Sequence, residues 1–287
     1  MISVSEEPFS GELTNEMARV IADDDRVALW WLGQAGFAFR RRDNLGLIDP
    51  YLSDYLAQKY QGKQFEHKRI MQSPVDPADV RGLSFVLCTH RHSDHMDPES
   101  LPIIARMNPS CRFVVPRAEA EHAIVIGLPE ERLTLVNAGE IASLGHGIEV
   151  EVIASAHEEL ITNDAGEHRF LGYIIRLGGL TLYHPGDCVP YPGLDKLVAS
   201  HKVDIALMPV NGRDEYRRNR GVPGNFTVHE ALDLCRACRI PVMVAHHFGM
   251  FEFNTVDVRE LTRLSEDQST EVRMIVPRTG VKYFAEA

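Results

Sequence analysis

Phe85-Val86-Leu87-Cys88-Thr89-His90-Arg91-His92-Ser93-Asp94-His95 is a short apolar run that empties directly into four ligand-type side chains. The run is too short for a helix and reads as a buried strand. In extended chain His90 and His92 point the same way, because side chains alternate with period two. A turn at Ser93 then brings Asp94 and His95 round to a second, adjacent position. Neutral imidazole nitrogen and carboxylate oxygen are the donors that suit Zn²⁺, Mn²⁺ or Fe²⁺. One pair can serve one ion and the other pair its neighbour. A single surface histidine is commonplace, but H-x-H-x-D-H directly after a buried strand is not explained by solvation.

Outward from this stretch, strand-like segments keep ending in residues of the same kinds. Ile148–Ala154 leads to His157, Leu180–Tyr183 to His184-Pro185-Gly186-Asp187, and Ile240–Ala245 to His246-His247. Upstream, Val27–Leu32 and Phe37–Arg41 flank Gly33-Gln34-Ala35-Gly36 as paired strands, and Leu45–Ile48 stops at Asp49-Pro50. Gly178-Gly179 joins Phe170–Leu177 to Leu180–Tyr183 as a hairpin. Arg112–Val115, Leu133–Val136, Ile205–Val210 and Arg273–Pro277 are further strands, the last closing the set. Asp97-Pro98-Glu99 starts a helix to about Met107, Arg117–Ile126 is a second, and Thr227 with Glu230 forms a capping box opening a third through Cys238. Residues 1–25, with the run Asp23-Asp24-Asp25, form an irregular or helical lead-in to a domain of residues 26–287. Residues 53–80, polar and carrying Pro74 and Pro77, form a long loop or cap, and loops of that length are commonly functional.

Composition bounds the function. With 44% hydrophobic and 25% charged residues over 287 positions, the chain can bury a full core. A net charge of −11 opposes a broad nucleic-acid surface, which needs Lys and Arg against phosphate. A small anionic substrate stays compatible, because bound dications dominate the local field. Five scattered cysteines suggest reduced thiols and a cytoplasmic setting. Cys235-x-x-Cys238 lies in a helical pattern without a second pair and reads as core packing. The N-terminus shows no signal-peptide pattern, and no apolar run is long enough for a transmembrane helix, so no membrane partner is expected. Assembly into a homo-oligomer is allowed.

The pattern of H-x-H-x-D-H, a later His, an Asp and a last His, each at a strand end, resembles the metallo-β-lactamase superfamily. Within it, Trp30 to Phe37, Ile48 to Ser53, Thr89 to His95 and Tyr183 to Asp187 resemble the L-ascorbate-6-phosphate lactonase branch. The likeness covers roughly residues 26–260. It implies an α/β fold, a four-layered αββα sandwich, with two divalent transition metal ions (Zn or Mn, with Fe also allowed) at one edge of the sheets. Under it, His90, His92 and His157 hold the first metal, Asp94, His95 and His247 the second, and Asp187 bridges. His247 is preferred to His246 because the superfamily's last ligand is often followed by an aromatic and a glycine, as in His247-Phe248-Gly249. Strand alternation lets only one of the two point inward. His157 and the stretch Cys188-Val189-Pro190-Tyr191-Pro192 depart from that branch.

The expected chemistry follows. Paired dications lower the pKa of a shared water and give a hydroxide at neutral pH, for attack on carbonyl or phosphorus. Asp94 and Asp187 are the catalytic carboxylates, Asp94 relaying a proton while it ligates. Asp49 either orients a ligand histidine or simply ends its strand. His246 and Cys188 lie behind the ligands. In the run Asn211 to Arg220, Arg213 is best placed to bind an anion, with Asn211 and Tyr191 beside it, and Arg217, Arg218 and Arg220 form a solvated surface. The expected function is a metal-dependent hydrolase of a small anionic lactone, ester or phosphoester. A phosphodiesterase or nuclease of the same fold is the main rival, weakened by the acidic charge. A flavo-diiron-type redox protein would need a flavin domain. A non-enzymatic metal scaffold is disfavoured because structural sites close with four ligands and seven candidates are present.

Overall fold

Along Val27 to Leu32 every residue is apolar and buried, because both faces of this strand are covered. Val27, Leu29 and Trp31 join the core between two sheets, whereas Ala28, Trp30 and Leu32 face the helices outside the first sheet. That alternation explains why two adjacent tryptophans are both buried without touching the same core. The computed structural model describes residues 2–20, 26–267 and 271–287; the run Asp23-Asp24-Asp25 lies outside them.

The strands are β1 (Ser3–Pro8), β2 (Arg26–Gly33), β3 (Gly36–Arg41), β4 (Asn44–Ile48), β5 (Leu83–Leu87), β6 (Arg112–Pro116), β7 (Leu133–Val136), β8 (Ile141–Gly145), β9 (Ile148–Ala154), β10 (Leu171–Leu177), β11 (Leu180–His184), β12 (Ile205–Pro209), β13 (Val242–His246), β14 (Arg273–Ile275) and β15 (Val281–Glu286). One sheet has the order β1-β15-β2-β3-β4-β5-β6-β7 and the other β14-β13-β12-β11-β10-β9-β8. The α-helices are α1 (Leu13–Arg19), α2 (Tyr55–Lys59), α3 (Ser100–Met107), α4 (Ala120–Val125), α5 (Leu194–Ala199), α6 (Glu215–Arg218), α7 (Val228–Ala237) and α8 (Val258–Ser265), and short 3-10 turns span Arg117–Glu119 and Glu130–Arg132. Leu13 and Met17 of α1 and Leu101 and Ile104 of α3 pack on the outer face of the first sheet. Leu194, Val198, Val228, Ala231, Leu232 and Leu261 of α5, α7 and α8 join the apolar cluster of the second. The result is an αββα sandwich.

Each sheet switches from antiparallel to parallel pairing halfway across: β4, β5, β6 and β7 run parallel, as do β11, β12, β13 and β14. Parallel strands deliver their C-terminal ends to one edge, where open sheets build sites. Asp49, Thr89, Asn211 and His247 all lie just beyond such ends. Close packing there depends on Gly46, where a Cβ would stand 2.3 Å from the Phe85 ring and 2.9 Å from that of Phe39.

Several elements differ from the sequence expectation. Ser3–Pro8 is not irregular or helical but a strand paired with β15, fixed by backbone bonding, since only Val4 of it is buried. Arg273–Pro277 stops at Ile275 and is followed by β15, which returns to the first sheet. Helix α3 begins at Ser100, because the Asp97 carboxylate accepts from Glu99 N at 3.0 Å and also binds Leu52 N and Ser53 N from the preceding loop. The Thr227–Glu230 capping box is present as expected.

Candidate metal centre

Beyond β5 the chain turns tightly: the backbone N–H groups of His95 and Met96 both donate to His92 O, at 2.9 and 2.8 Å. This splits the motif into two faces. His90, His92 and Asp187 form one group able to hold a metal ion, and Asp94, His95 and His247 another, with the donor atoms of each within 4.8 Å of one another. Asp187 reaches both. Its Oδ2 lies 4.0 Å from His90 Nε2 and 3.6 Å from His157 Nε2, while its Oδ1 lies 3.2 Å from His95 Nε2 and 3.1 Å from His247 Nε2. Asp94 Oδ2 stands 3.8 Å from His95 Nε2 and 3.7 Å from His247 Nε2. Two donors each ~2.1 Å from one tetrahedral ion sit roughly 3.4 Å apart, so these spacings suit shared ions. His157 stands beside the first trio, its ring 5.1 Å from that of His92.

What orients the rings is visible. Asp49 Oδ1 accepts from Thr89 N at 2.8 Å, and its Oδ2 accepts from Thr89 Oγ1 at 2.6 Å and lies 2.7 Å from His95 Nδ1. With its hydroxyl proton given to Asp49, Thr89 Oγ1 accepts from His90 Nδ1 at 3.0 Å. Both imidazoles are thereby set with Nδ1 as the donor toward Thr89 or Asp49 and with Nε2 turned to Asp187, where the carboxylates around His95 favour a positive charge. His90 Nε2 and His95 Nε2 are buried and have no hydrogen-bond partner. Buried nitrogens held from behind and unsatisfied in front are what ligand histidines require. Gly186 lets Thr89 approach: its φ is +65°, and a Cβ there would lie 2.7 Å from Thr89 Cβ.

Electrostatics point the same way. Burial raises the Asp187 carboxyl, but His247 and His95 outweigh it and hold it well below the usual range. Burial holds His90 well below the ordinary imidazole value and lowers His157 to about 4, so both are neutral donors at physiological pH. Burial also lowers His95, yet Asp187, Asp49 and Asp94 hold it well above its ordinary value. Gln34, Asp49 and His247 adopt positive φ of 50°, 44° and 60°, sparsely populated backbone that concentrates at functional sites.

The remaining expected residues divide. Asp49 binds His95 rather than merely ending β4. His246 points away: its Nε2 lies 3.1 Å from Leu207 O and its ring stacks on His184 at 4.8 Å. Cys188 is buried with its thiol pushed up to about 11 by desolvation, and only its backbone N–H reaches the network, donating to Asn225 Oδ1 at 2.8 Å. Asn211 is one step removed, accepting from Asn225 Nδ2 at 3.0 Å. Tyr191 gives its hydroxyl to Ala154 O at 2.7 Å and does not line the cavity. Arg213 is corrected too. Both carboxylate oxygens of the capping-box residue Glu230 take its guanidinium at 2.6 Å, and it stays outside the cavity.

Sequence reading missed two kinds of residue. Asn225 Nδ2 donates to Asp187 Oδ1 at 3.0 Å, and Gln34 Nε2 to Asp94 Oδ2 at 2.9 Å. Gln34 was legible only as part of a glycine turn, and its positive φ aims the amide inward. Phe170 packs on the three histidines of that side, with ring centres 5.0, 5.7 and 5.2 Å from His90, His92 and His157. The segment read as a loop or cap at 53–80 supplies α2, and with the chain to His67 it walls a cavity of about 560 Å³ over the two groups, together with Arg91, Arg220 and Asn254.

An αββα sandwich with two adjoining His/Asp groups at one sheet edge, bridged by one carboxylate and opening on a cavity, defines a metal-binding fold of the β-lactamase type. Residues 46–248 match the Beta-lactamase superfamily domain, and the chain belongs to that family. It is similar to a relative from Escherichia fergusonii named probable L-ascorbate-6-phosphate lactonase UlaG, 24% identical over 84% of this chain and 75% of the relative. Among solved structures it is similar to Igni18, a metallo hydrolase of Ignicoccus hospitalis, with a TM-score of 0.67, 19% identity and coverage of 90% and 98% of the two chains. It is also similar to an isothiocyanate hydrolase from Delia radicum gut bacteria, with a TM-score of 0.70, 18% identity and coverage of 89% and 98%. No helix among the described residues is long and apolar enough to cross a membrane.

Proposed function

We propose that this chain, a metal-dependent hydrolase by family, holds two divalent transition metal ions and opens a small anionic lactone, ester or phosphoester. The observation that carries the reading is the Asp187 carboxylate, whose two oxygens face separate histidine groups: Oδ1 lies 3.2 Å from His95 Nε2, and Oδ2 stands 4.0 Å from His90 Nε2, which is buried with no hydrogen-bond partner. His90, His92 and His157 are the assigned ligands of one ion, Asp94, His95 and His247 of the other, with Asp187 shared. Nitrogen and carboxylate donors without thiolate favour Zn or Mn, with Fe compatible. When bound, such ions supply Lewis acidity for water activation and for polarising a carbonyl or phosphoryl oxygen.

The protein's own residues do the rest. Asp49 and Thr89 orient the histidine rings, Asn225 and Gln34 hold the two carboxylates, and Asp94, the less buried carboxylate, is assigned the role of taking a proton from water. Cavity size supports a metabolite-sized substrate. Its lining carries Lys59, Lys63, Arg91 and Arg220 against two carboxylates, Asp94 and Asp187, which supports an anion in a chain of net charge −11. That overall charge also supports small molecules over polynucleotides. Five free, buried thiols support a cytoplasmic setting.

Elemental analysis of gently purified protein, before and after incubation with Zn²⁺ or Mn²⁺, tests the reading together with a panel of lactones, carboxyl esters and phosphoesters. About two ions per chain are expected, with turnover of one ester class that Asp187→Ala abolishes. A protein that takes up no transition metal, or takes it up equally in Asp187→Ala, sinks the assignment.

A further inference from the structure

Lys59, Lys63 and Arg220 line the mouth of the same cavity, and each is held by a ring rather than by a carboxylate. Lys63 Nζ lies 4.7 Å from the centre of the Tyr60 ring. Lys59 Nζ lies 5.6 Å from that ring and 5.7 Å from the ring of Tyr55. It also donates to Ser93 Oγ at 3.3 Å, inside the motif that carries His92 and Asp94. The Arg220 guanidinium carbon sits 3.8 Å from the Tyr216 ring centre, and its Nη1 donates to Tyr216 O at 3.0 Å.

Among the described residues no carboxylate pairs with any of the three. Their neighbours show that this is selective. Arg213 is paired with Glu230 at 2.6 Å, Arg217 with Asp214 at 2.5 Å and Arg218 with Glu158 at 3.3 Å, leaving Arg220 as the unpaired member of its run. A carboxylate neutralises the cation it positions, whereas an aromatic face positions a cation and leaves its charge available. The two sides of the mouth are also tied together: Gln64 Nε2 donates to Tyr216 OH at 3.0 Å, and Phe65 meets the Tyr216 ring edge-on at 6.1 Å.

We infer that Lys59, Lys63 and Arg220 form an anion subsite at the cavity mouth, which reads a compact dianion (a phosphate monoester or a pair of carboxylates) carried by the substrate away from the bond that is cleaved. The inference rests on the proposed hydrolase reading only in taking the ligand to be the substrate. Such a subsite contributes binding remote from the reacting centre, and its loss is read in the preference for charged over neutral substrates.

The first test is independent of turnover. Acetylation of Lys59 and Lys63 in the purified protein is followed by mass spectrometry with and without phenyl phosphate or phthalate. Protection of both lysines by either dianion, lost in Arg220→Met, supports the subsite, and the dianion that protects tells phosphate from dicarboxylate. Protection by neither overturns it. The second test compares kcat/KM for a phosphorylated sugar lactone with that for its unphosphorylated counterpart. The ratio is expected to fall about tenfold or more in Lys63→Met and in Arg220→Met. It should hold in Arg213→Met, which removes the same charge outside the cavity. Protection without turnover of any ester would sink the hydrolase reading and leave the subsite. Turnover with an unaltered ratio in both cavity variants would sink the subsite and leave the hydrolase.

Discussion

Replacing Asp49 by asparagine changes one oxygen into an amide nitrogen at the point where a histidine of each candidate metal group is oriented. In the native chain the Asp49 carboxylate, fully buried, accepts Thr89 N, Thr89 Oγ1 and His95 Nδ1. An asparagine has one acceptor atom for those three donors. If its amide nitrogen faces His95, Nδ1 must become the acceptor and the ring proton moves to Nε2, the atom aimed at Asp187. Thr89 then loses its acceptor as well, and turning its hydroxyl toward His90 Nδ1 would move the proton on that ring to Nε2 too. If the amide is flipped, the backbone N–H of Thr89 faces a second donor instead. Either orientation strands a buried donor, worth about 1–3 kcal/mol of stability. Loss of an outer-shell partner typically costs about 10–100-fold in metal affinity, or about 1.4–2.8 kcal/mol. Because Thr89 links Asp49 to both histidines, weakening is expected in both groups. Competition with a chelator of known affinity measures it, and calorimetry on the metal-free protein separates the folding cost. Asp49→Asn protein that keeps native affinity for both ions would refute the tautomer argument, whatever happens to its stability.

Other expectations are as direct. His247→Ala should lose metal from the group it shares with Asp94 and His95. His246→Ala should keep its metal content while losing about 3 kcal/mol of stability, because it removes a buried ring stacked on His184; metal analysis and denaturant titration distinguish the two, and reversed results would mean that the wrong histidine faces the site. Arg213→Met breaks a half-exposed ion pair and should cost at most about 1 kcal/mol, leaving KM unchanged; a raised KM would restore Arg213 to the substrate site. Chelating the ions should lower stability by about 2.7 kcal/mol for each site that had been saturated at 100 times its Kd, and a melting temperature indifferent to EDTA would argue that no ion is bound.

How far the sequence reaches can be seen residue by residue. Strands buried on both faces, such as Val27–Leu32 and Phe85–Leu87, declare themselves as apolar runs, and the ligand-type residues sit at their ends. That is why positions 90–95, Asp187 and His247 could be read as candidate ligands before any coordinates, and the fold brings them to one sheet edge. Edge strands β1 and β8 were not, because their side chains are mostly exposed and their pairing is made by backbone groups that every residue shares. Asn225 and Gln34 carry no ligand signature in sequence, since an amide reports only a capacity to hydrogen-bond and not the carboxylate it will meet.

Arg213 shows a different limit. Its place after β12 sends the backbone to the right edge, but a guanidinium goes to the strongest available acceptor. Glu230, lying 17 residues on, is already fixed by its own capping box with Thr227. A preorganised carboxylate binds arginine bidentately and at no further ordering cost, so it wins over an open cavity. Arg220, read from sequence as mere solvated surface, has no such competitor and falls to the ring of Tyr216, which leaves its charge unspent. Which cation of a basic run serves a site is therefore decided by where the acids lie in space. That information appears only when the chain has folded.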